Sequence, residues 1–428
     1  MNKLMQYFLT VLLLSSCATD EQVSEGDYTA YTGASIIDGS GDQPIENGVL
    51  LIREGKVTAV GSCDDVSIPE EAHMVDLTGK FIIPGLINGH GHVGQAKGIE
   101  GDHYSAQNVL DNLGIYARYG ITTVVSLGDD QKDGVPFRHV NDSLPVSRAR
   151  LFIAGKVITG NTPEDAIADI EYNHQMGVDF MKIRVDDNLG TSDKMPEDVY
   201  RAVIDRSHEL GYKIATHMYE LDDSRKLVKA GSDLLAHSIR DQVVDHTFLE
   251  LLKQKNIGYC PTLTRELSTY VYADTAHFFS DPFFLKEYPR DVIQPLMDPK
   301  RQEDVRNKRS AQIYKQQLPV AYTNLKSLHD AGIPIVFGTD SGVPTRFMGY
   351  FEHLEMEMMA EAGLTPMEIL LSATKNVAEY LDLKGLGILK EGNWADFIIL
   401  DADPLLDIRN CKQILQVYIG GKVVEESF

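Results

Sequence analysis

The sequence predicts an α/β protein, a (β/α)8 TIM-type barrel with a small β-sandwich built from both chain ends. Three observations predict it. Short apolar strands alternate with amphipathic helices through the middle of the 428 residues. Both ends read as strands and turns without helical period. Ligand-type side chains recur where the middle strands end, the face on which barrel enzymes gather their chemistry.

The amino-terminal β segment, 28–80, contains strand-like runs at Tyr31 to Ile37, Gly48 to Arg53 and Lys56 to Val60. Asp38-Gly39 and Glu54-Gly55 supply turns between them. The carboxy-terminal segment, 385–428, has the same texture, with runs at Phe397 to Leu400 and Ile414 to Ile419. The predicted barrel occupies 81–384, with strands at 81–87, 121–127, 150–157, 179–185, 212–217, 233–237, 257–261 and 334–339. Helices are expected at 105–118, 163–176, 196–210, 311–330, 350–362 and 366–381. The last begins Thr365-Pro366-Met367-Glu368, a capping box with proline at the first helical position. About 45 residues, roughly 264–310, follow the seventh strand, where loops of about 4–6 are usual. They carry Tyr270, Tyr272, Phe278, Phe279, Phe283, Phe284 and Tyr288. A lid or substrate-pocket wall, a dimer contact and a subdomain packed on the barrel all fit that composition.

The first barrel strand, Phe81-Ile-Ile-Pro-Gly-Leu-Ile-Asn-Gly-His90-Gly-His92, ends in two histidines. Alternate residues of a strand share a face, so His90 and His92 can aim at one divalent metal. Lys182 lies inside the apolar run Val178-Asp-Phe-Met-Lys-Ile, where a bare ammonium is costly and a neutral amine is favoured. His217 and His237 close the fifth and sixth strands, and Asp340 follows Gly338-Thr339 at the end of the eighth. The other nine of the 13 histidines, including His103, His139, His174 and His353, read as ordinary polar groups.

These motifs, with Gly392-Asn393-Trp394-Ala395-Asp396 and Asp403-Pro404-Leu405 near the end, resemble the amidohydrolase superfamily over nearly all of 28–428. The context of Lys182, His217 and His237 is most similar to the binuclear branch containing imidazolonepropionase-like proteins and Xaa-Pro dipeptidases (prolidases). The resemblance implies two divalent ions, zinc first among them. His90, His92, Lys182 and Asp340 would hold one, and Lys182, His217 and His237 the other. Lys182 would be carboxylated, bridging both. A metal-bridging hydroxide would attack an amide of a dipeptide or N-acyl amino acid, with Asp340 as the proton carrier. Tyr219, two residues past His217, would help hold the carbonyl oxygen, unless it only packs. Arg240 and Arg265 are candidates for a substrate carboxylate. The sequence departs from the dipeptidase pattern at Met218-Tyr219-Glu220 and at Ser238-Ile239-Arg240. The same ligands also suit a lactone, ester or phosphoester hydrolase. A mononuclear deaminase or cyclic-amide hydrolase would leave Lys182 structural, and a non-catalytic binding protein would need none of them.

Composition limits partners. With 40 Lys and Arg against 63 Asp and Glu, the net charge is −23, which argues against nucleic acid and against a polybasic membrane contact. The substrate is expected to be a small molecule, and homo-oligomerisation is left open. Residues 1–16 read as a signal peptide: Lys3, an apolar run Phe8 to Leu14 too short to span a bilayer, then Leu14-Ser-Ser-Cys17, which resembles a lipobox. Cys17 would then carry lipid, with 17–27 as a tether. That places the enzyme in the cell envelope, anchored to the outer membrane of a Gram-negative bacterium and facing the periplasm or the exterior. The remaining cysteines, Cys63, Cys260 and Cys411, form no disulfide framework.

Overall fold

The computed structural model describes residues 27–143 and 147–425. The leader reading and Cys17 lie outside the described residues.

The two chain ends build one sheet. It contains β1 (Thr29–Ile36), β2 (Ile45–Arg53), β3 (Lys56–Ser62), β4 (His73–Asp76) and β5 (Phe81–Pro84) from the beginning of the chain. From the end come β13 (Phe397–Leu400), β14 (Ile414–Ile419) and β15 (Lys422–Val423). The order is β15-β14-β13-β5-β1-β2-β3, with β4 parallel to β1. Glu54 and Gly55 make the two-residue β2–β3 turn, both at positive φ (50° and 73°). Tyr31, Ile36, Leu50, Ile52, Phe397 and Ile399 form the sheet's own core.

The run 81–87, expected as one barrel strand, is two strands. Residues 81–84 pair with β1 and β13 and so belong to the terminal sheet. The chain then crosses at Gly85, where a Cβ would lie 2.2 Å from Thr122 Oγ1, so no larger residue fits without displacement. β6 (Leu86–Gly91) starts the second region.

That region is parallel throughout. β6, β7 (Ile121–Ser126) and β8 (Arg150–Ile153) form one sheet. β9 (Met181–Arg184), β10 (Ile214–His217), β11 (Leu234–Ala236) and β12 (Gly258–Cys260) form another. Parallel bridges join Ile158 to Ile183, Tyr259 to Ile335 and Gly91 to Ser341. The expected eighth strand, 334–339, and the residues just after it make the last two of these bridges rather than a regular ladder. Val336 donates to Tyr259 O at 2.9 Å, and Asp340 N donates to His90 O at 2.7 Å. Asp340 has φ 60°, and a Cβ on Gly338 would lie 2.6 Å from Cys260 Sγ. The segment is pinched between its neighbours and bent at its end, which breaks strand geometry.

Helices pack between these strands at 106–118, 163–176, 197–209, 221–230, 246–255, 309–330 and 350–361. The Thr365–Glu368 capping box is formed, and its helix runs on through a five-residue π turn, Ser372–Asn376.

Residues 264–310 form a chain of short helical turns. Phe278, Phe284 and Tyr288 are buried and meet Phe347, Tyr350 and Phe351 edge-on or tilted. Arg118 grips Glu287 with two bonds of 2.6 and 2.7 Å. The stretch is a packed subdomain. Only Arg265 at its beginning lines the candidate site cavity, which corrects the lid reading. The aromatics find one another and residues 347–351, so they do not face the cavity.

A buried ion pair ties the terminal sheet to the parallel strands. Arg150 donates to both oxygens of Asp396 at 2.7 and 3.0 Å, under the Trp394 ring. Asp396→Ala strands a buried guanidinium, and we expect a loss of about 3–5 kcal/mol, read as a lower urea midpoint.

Candidate active site

Five strand ends present the polar groups. His90 lies in β6 and His92 just beyond it, Lys182 in β9, His217 at the end of β10, His237 just past β11, and Asp340 at the end of 334–341. All six line one cavity of about 620 Å³, together with Asp129, Lys156, Arg184, Arg265 and Arg346.

Tyr219 and Arg240 are not among its lining residues, contrary to expectation. β10 stops at His217 and the chain turns toward helix 221–230, so strand alternation does not carry Tyr219 onto the same face. Its ring lies under the Arg240 guanidinium at 4.7 Å. Arg240 is fully buried, with Nη1 3.2 Å from Glu266 Oε1 and Tyr314 on its other side at 4.4 Å.

His90, His92 and Asp340 bring ligand atoms within 4.8 Å of one another. His92 Nδ1 donates to Gly128 O at 3.0 Å, leaving Nε2 for its second partner. That nitrogen lies 2.8 Å from Asp340 Oδ1, and His90 Nε2 lies 3.6 Å from the same oxygen. Burial lowers the His92 imidazole, but the Asp340 carboxylate outweighs it and raises the group, so without a metal a proton on Nε2 holds the two together, in the place where a cation would sit between nitrogen and carboxylate. The donor set, imidazole and carboxylate, suits a divalent transition metal.

The other half is held in the same manner. His237 Nδ1 meets Thr262 Oγ1 at 2.8 Å, and its ring sits 4.2 Å from that of His217 and 4.8 Å from that of His90. His217 Nε2 is bound to Asp186 Oδ2 at 2.8 Å. Lys182 Nζ lies 3.3 Å from His90 Nε2. Burial pushes His90 and His237 well below the usual imidazole range, brings His217 down to about 3 and lowers Lys182 to about 8. These three imidazoles are therefore disposed to be neutral, as metal ligands must be, while Lys182 keeps a neutral fraction that grows as pH rises through about 8. Burial raises Asp340, but Arg346 and His92 outweigh it and hold the carboxyl well below its ordinary value.

Behind Asp340, Glu352 accepts from Asn88 Nδ2 at 2.6 Å, Thr339 Oγ1 at 2.7 Å and Ser341 Oγ at 2.6 Å. This buried network clamps β6 against 334–341. Gly342 allows their approach, since a Cβ there would lie 1.9 Å from His92 O. Asp186, Arg346 and Glu352 escaped the sequence reading. Asp186 carries the strand-end signal used for the ligands, two residues past Arg184. Arg346 and Glu352 carry no local signal.

Asp130, buried after β7, accepts from Ala154 N and Gly155 N, both at 3.0 Å, and burial raises it to about 7. An unfolded carboxyl ionises near 3.8. Between these values the native state keeps a proton that the unfolded chain releases, so stability falls as pH rises from about 4 to 7. Asp130→Asn keeps the acceptor and is expected to erase this slope, at most about 1.4 kcal/mol per pH unit. Urea unfolding at pH 5 and pH 8 reads it.

A cavity at the carboxyl ends of parallel strands, with clustered imidazoles and an aspartate, defines a metal-binding hydrolase site. The sequence profile of the amidohydrolase family matches residues 81–424, and the chain belongs to that family. It is a hydrolytic enzyme acting on carbon–nitrogen bonds. A 5-methylthioadenosine/S-adenosylhomocysteine deaminase of Bacillus cereus is 23% identical over 440 residues, covering 92% of this chain and 93% of that one. Among solved structures, a Xaa-Pro dipeptidase with methionine bound in its active site superposes with a TM-score of 0.75 at 21% identity. The match covers 94% of this chain and 100% of the dipeptidase. Phenylurea hydrolase B gives 0.73 at 20%, covering 94% and 97%. The likeness to these structures is one of fold.

Proposed function

We propose that the parallel strands close into a (β/α)8 barrel holding a binuclear metal site, and that the enzyme cleaves the amide bond of a dipeptide or N-acyl amino acid. The observation that carries this reading is the 2.8 Å approach of His92 Nε2 to Asp340 Oδ1, beside a buried amine. His90, His92, Lys182 and Asp340 would hold one ion. Lys182, as its carbamate, would share the second with His217 and His237. Two divalent ions, zinc in the first instance, would lower the pKa of a water to roughly 7 and polarise the scissile carbonyl. Asp340 takes the proton and returns it to the departing nitrogen. Thr262, Asp186 and Gly128 orient three of the histidines. Glu352 and its three donors fix the segment that carries Asp340.

A second reading, a mononuclear deaminase, is favoured by the tight grouping, among the described residues, of His90, His92 and Asp340 alone. It is also the activity named for the B. cereus relative. The two part in one assay. Zinc-loaded protein lacking 1–17, prepared in bicarbonate, is offered mixed dipeptides, N-acyl amino acids and aminopurine nucleosides. Release of amino acid supports the first reading. Release of ammonia from nucleosides alone supports the second. The lipobox-like Cys17 leads us to place the mature enzyme on a lipid anchor in the cell envelope, testable by metabolic labelling with a fatty acid in wild type and Cys17→Ala.

A further inference from the structure

Two guanidinium groups converge on one carboxylate oxygen in the wall of the cavity. Arg346 Nη1 donates to Asp340 Oδ2, and Arg265 Nε lies 3.9 Å from the same atom. Asp340 Oδ1 faces His92 and His90. One carboxylate cannot answer two guanidiniums and a metal. With a cation on the Oδ1 side, Arg265 and Arg346 retain surplus positive charge in a pocket that gives little solvation.

Neither arginine is a free surface side chain. Arg265 is only 7% exposed, and its Nε makes no hydrogen bond. Its Nη1 is fixed on Glu266 Oε2 at 3.0 Å, and its guanidinium lies over Tyr314 at 5.0 Å. Glu266 is also 3.2 Å from Arg240, so its charge is shared and does not cancel Arg265. Arg346 is anchored a second time, Nε to Ser268 Oγ at 3.1 Å. The donors are thus set in place before a ligand arrives, in a chain whose net charge is −23.

We propose that Arg265 and Arg346 together form a fork that receives a substrate carboxylate beside the scissile amide, with Arg240 and Glu266 positioning Arg265. The inference rests on the proposed metal site and names the residues that would select the carboxylate its proposed substrates carry. Neutral amides lack the anion that the fork is built to take.

The test compares two probes on zinc-loaded protein by calorimetry, N-acetyl-L-leucine and its neutral relative N-acetyl-L-leucinamide. The quantity read is the ratio of their dissociation constants. Wild type is expected to favour the acid by about tenfold or more. In Arg346→Gln the ratio falls toward one, and Arg346→Lys, which keeps the charge but not the fork, restores part of it. Arg265→Gln shifts the ratio the same way. No preference in wild type, or a preference that survives in Arg346→Gln, overturns the fork. Turnover is scored separately. A preference without amide cleavage leaves the fork standing and rejects the proposed reaction.

Discussion

Lys182→Ala is expected to remove metal and activity together, lowering kcat/KM for any amide substrate by at least about 10³-fold. A lost electrostatic stabiliser alone costs about 10²–10³, and this change would also remove the proposed carbamate bridge between two ions. Lys182 is buried within β9, 3.3 Å from His90 Nε2. Burial lowers its amine to about 8, so a usable neutral fraction exists near neutral pH. That fraction grows as pH rises through about 8. In bicarbonate, metal uptake by apo protein should therefore be faster at pH 9 than at pH 7. Alanine leaves a space where a small carboxylate fits, so added acetate or propionate is expected to restore part of the metal content and rate. Full activity in Lys182→Ala would sink the carbamate assignment.

The second large effect is at Asp340. Asp340→Asn preserves shape but removes the proposed proton acceptor and its charge on the proposed metal. We expect kcat to fall by about 10²–10⁴, the range for a general acid–base group. Glu352 still holds Thr339 and Ser341, but Arg346 loses its carboxylate partner, so the melting temperature should also fall, and thermal unfolding alongside kcat separates chemistry from folding. Wild-type kcat in this variant would mean that the proton is carried by another group.

Most of the site was legible because it is written at strand ends. His90, His92, Lys182, His217, His237 and Asp340 each follow or interrupt an apolar run, and parallel strands bring such positions to one face. What failed was local continuation. Tyr219 was expected from strand periodicity, but β10 ends at His217 and the periodicity ends with it. The run 81–87 reads as one strand, yet Gly85 lets the backbone pass from the terminal sheet to β6, because contact with Thr122 rather than local propensity decides the break. The aromatics of 264–310 signalled burial but not their partner, since Phe347, Tyr350 and Phe351 are distant in sequence. Arg346 and Glu352 act on Asp340 and on its strand through tertiary contacts alone, and no spacing rule finds them.

The proposed site is a two-metal centre bridged through Lys182. Metal content per chain tests it most directly, measured on wild type and Lys182→Ala reconstituted with zinc in bicarbonate. About two ions are expected per wild-type chain and one or fewer in the variant, with activity lost in step. One ion in both proteins, with turnover unchanged, would contradict it.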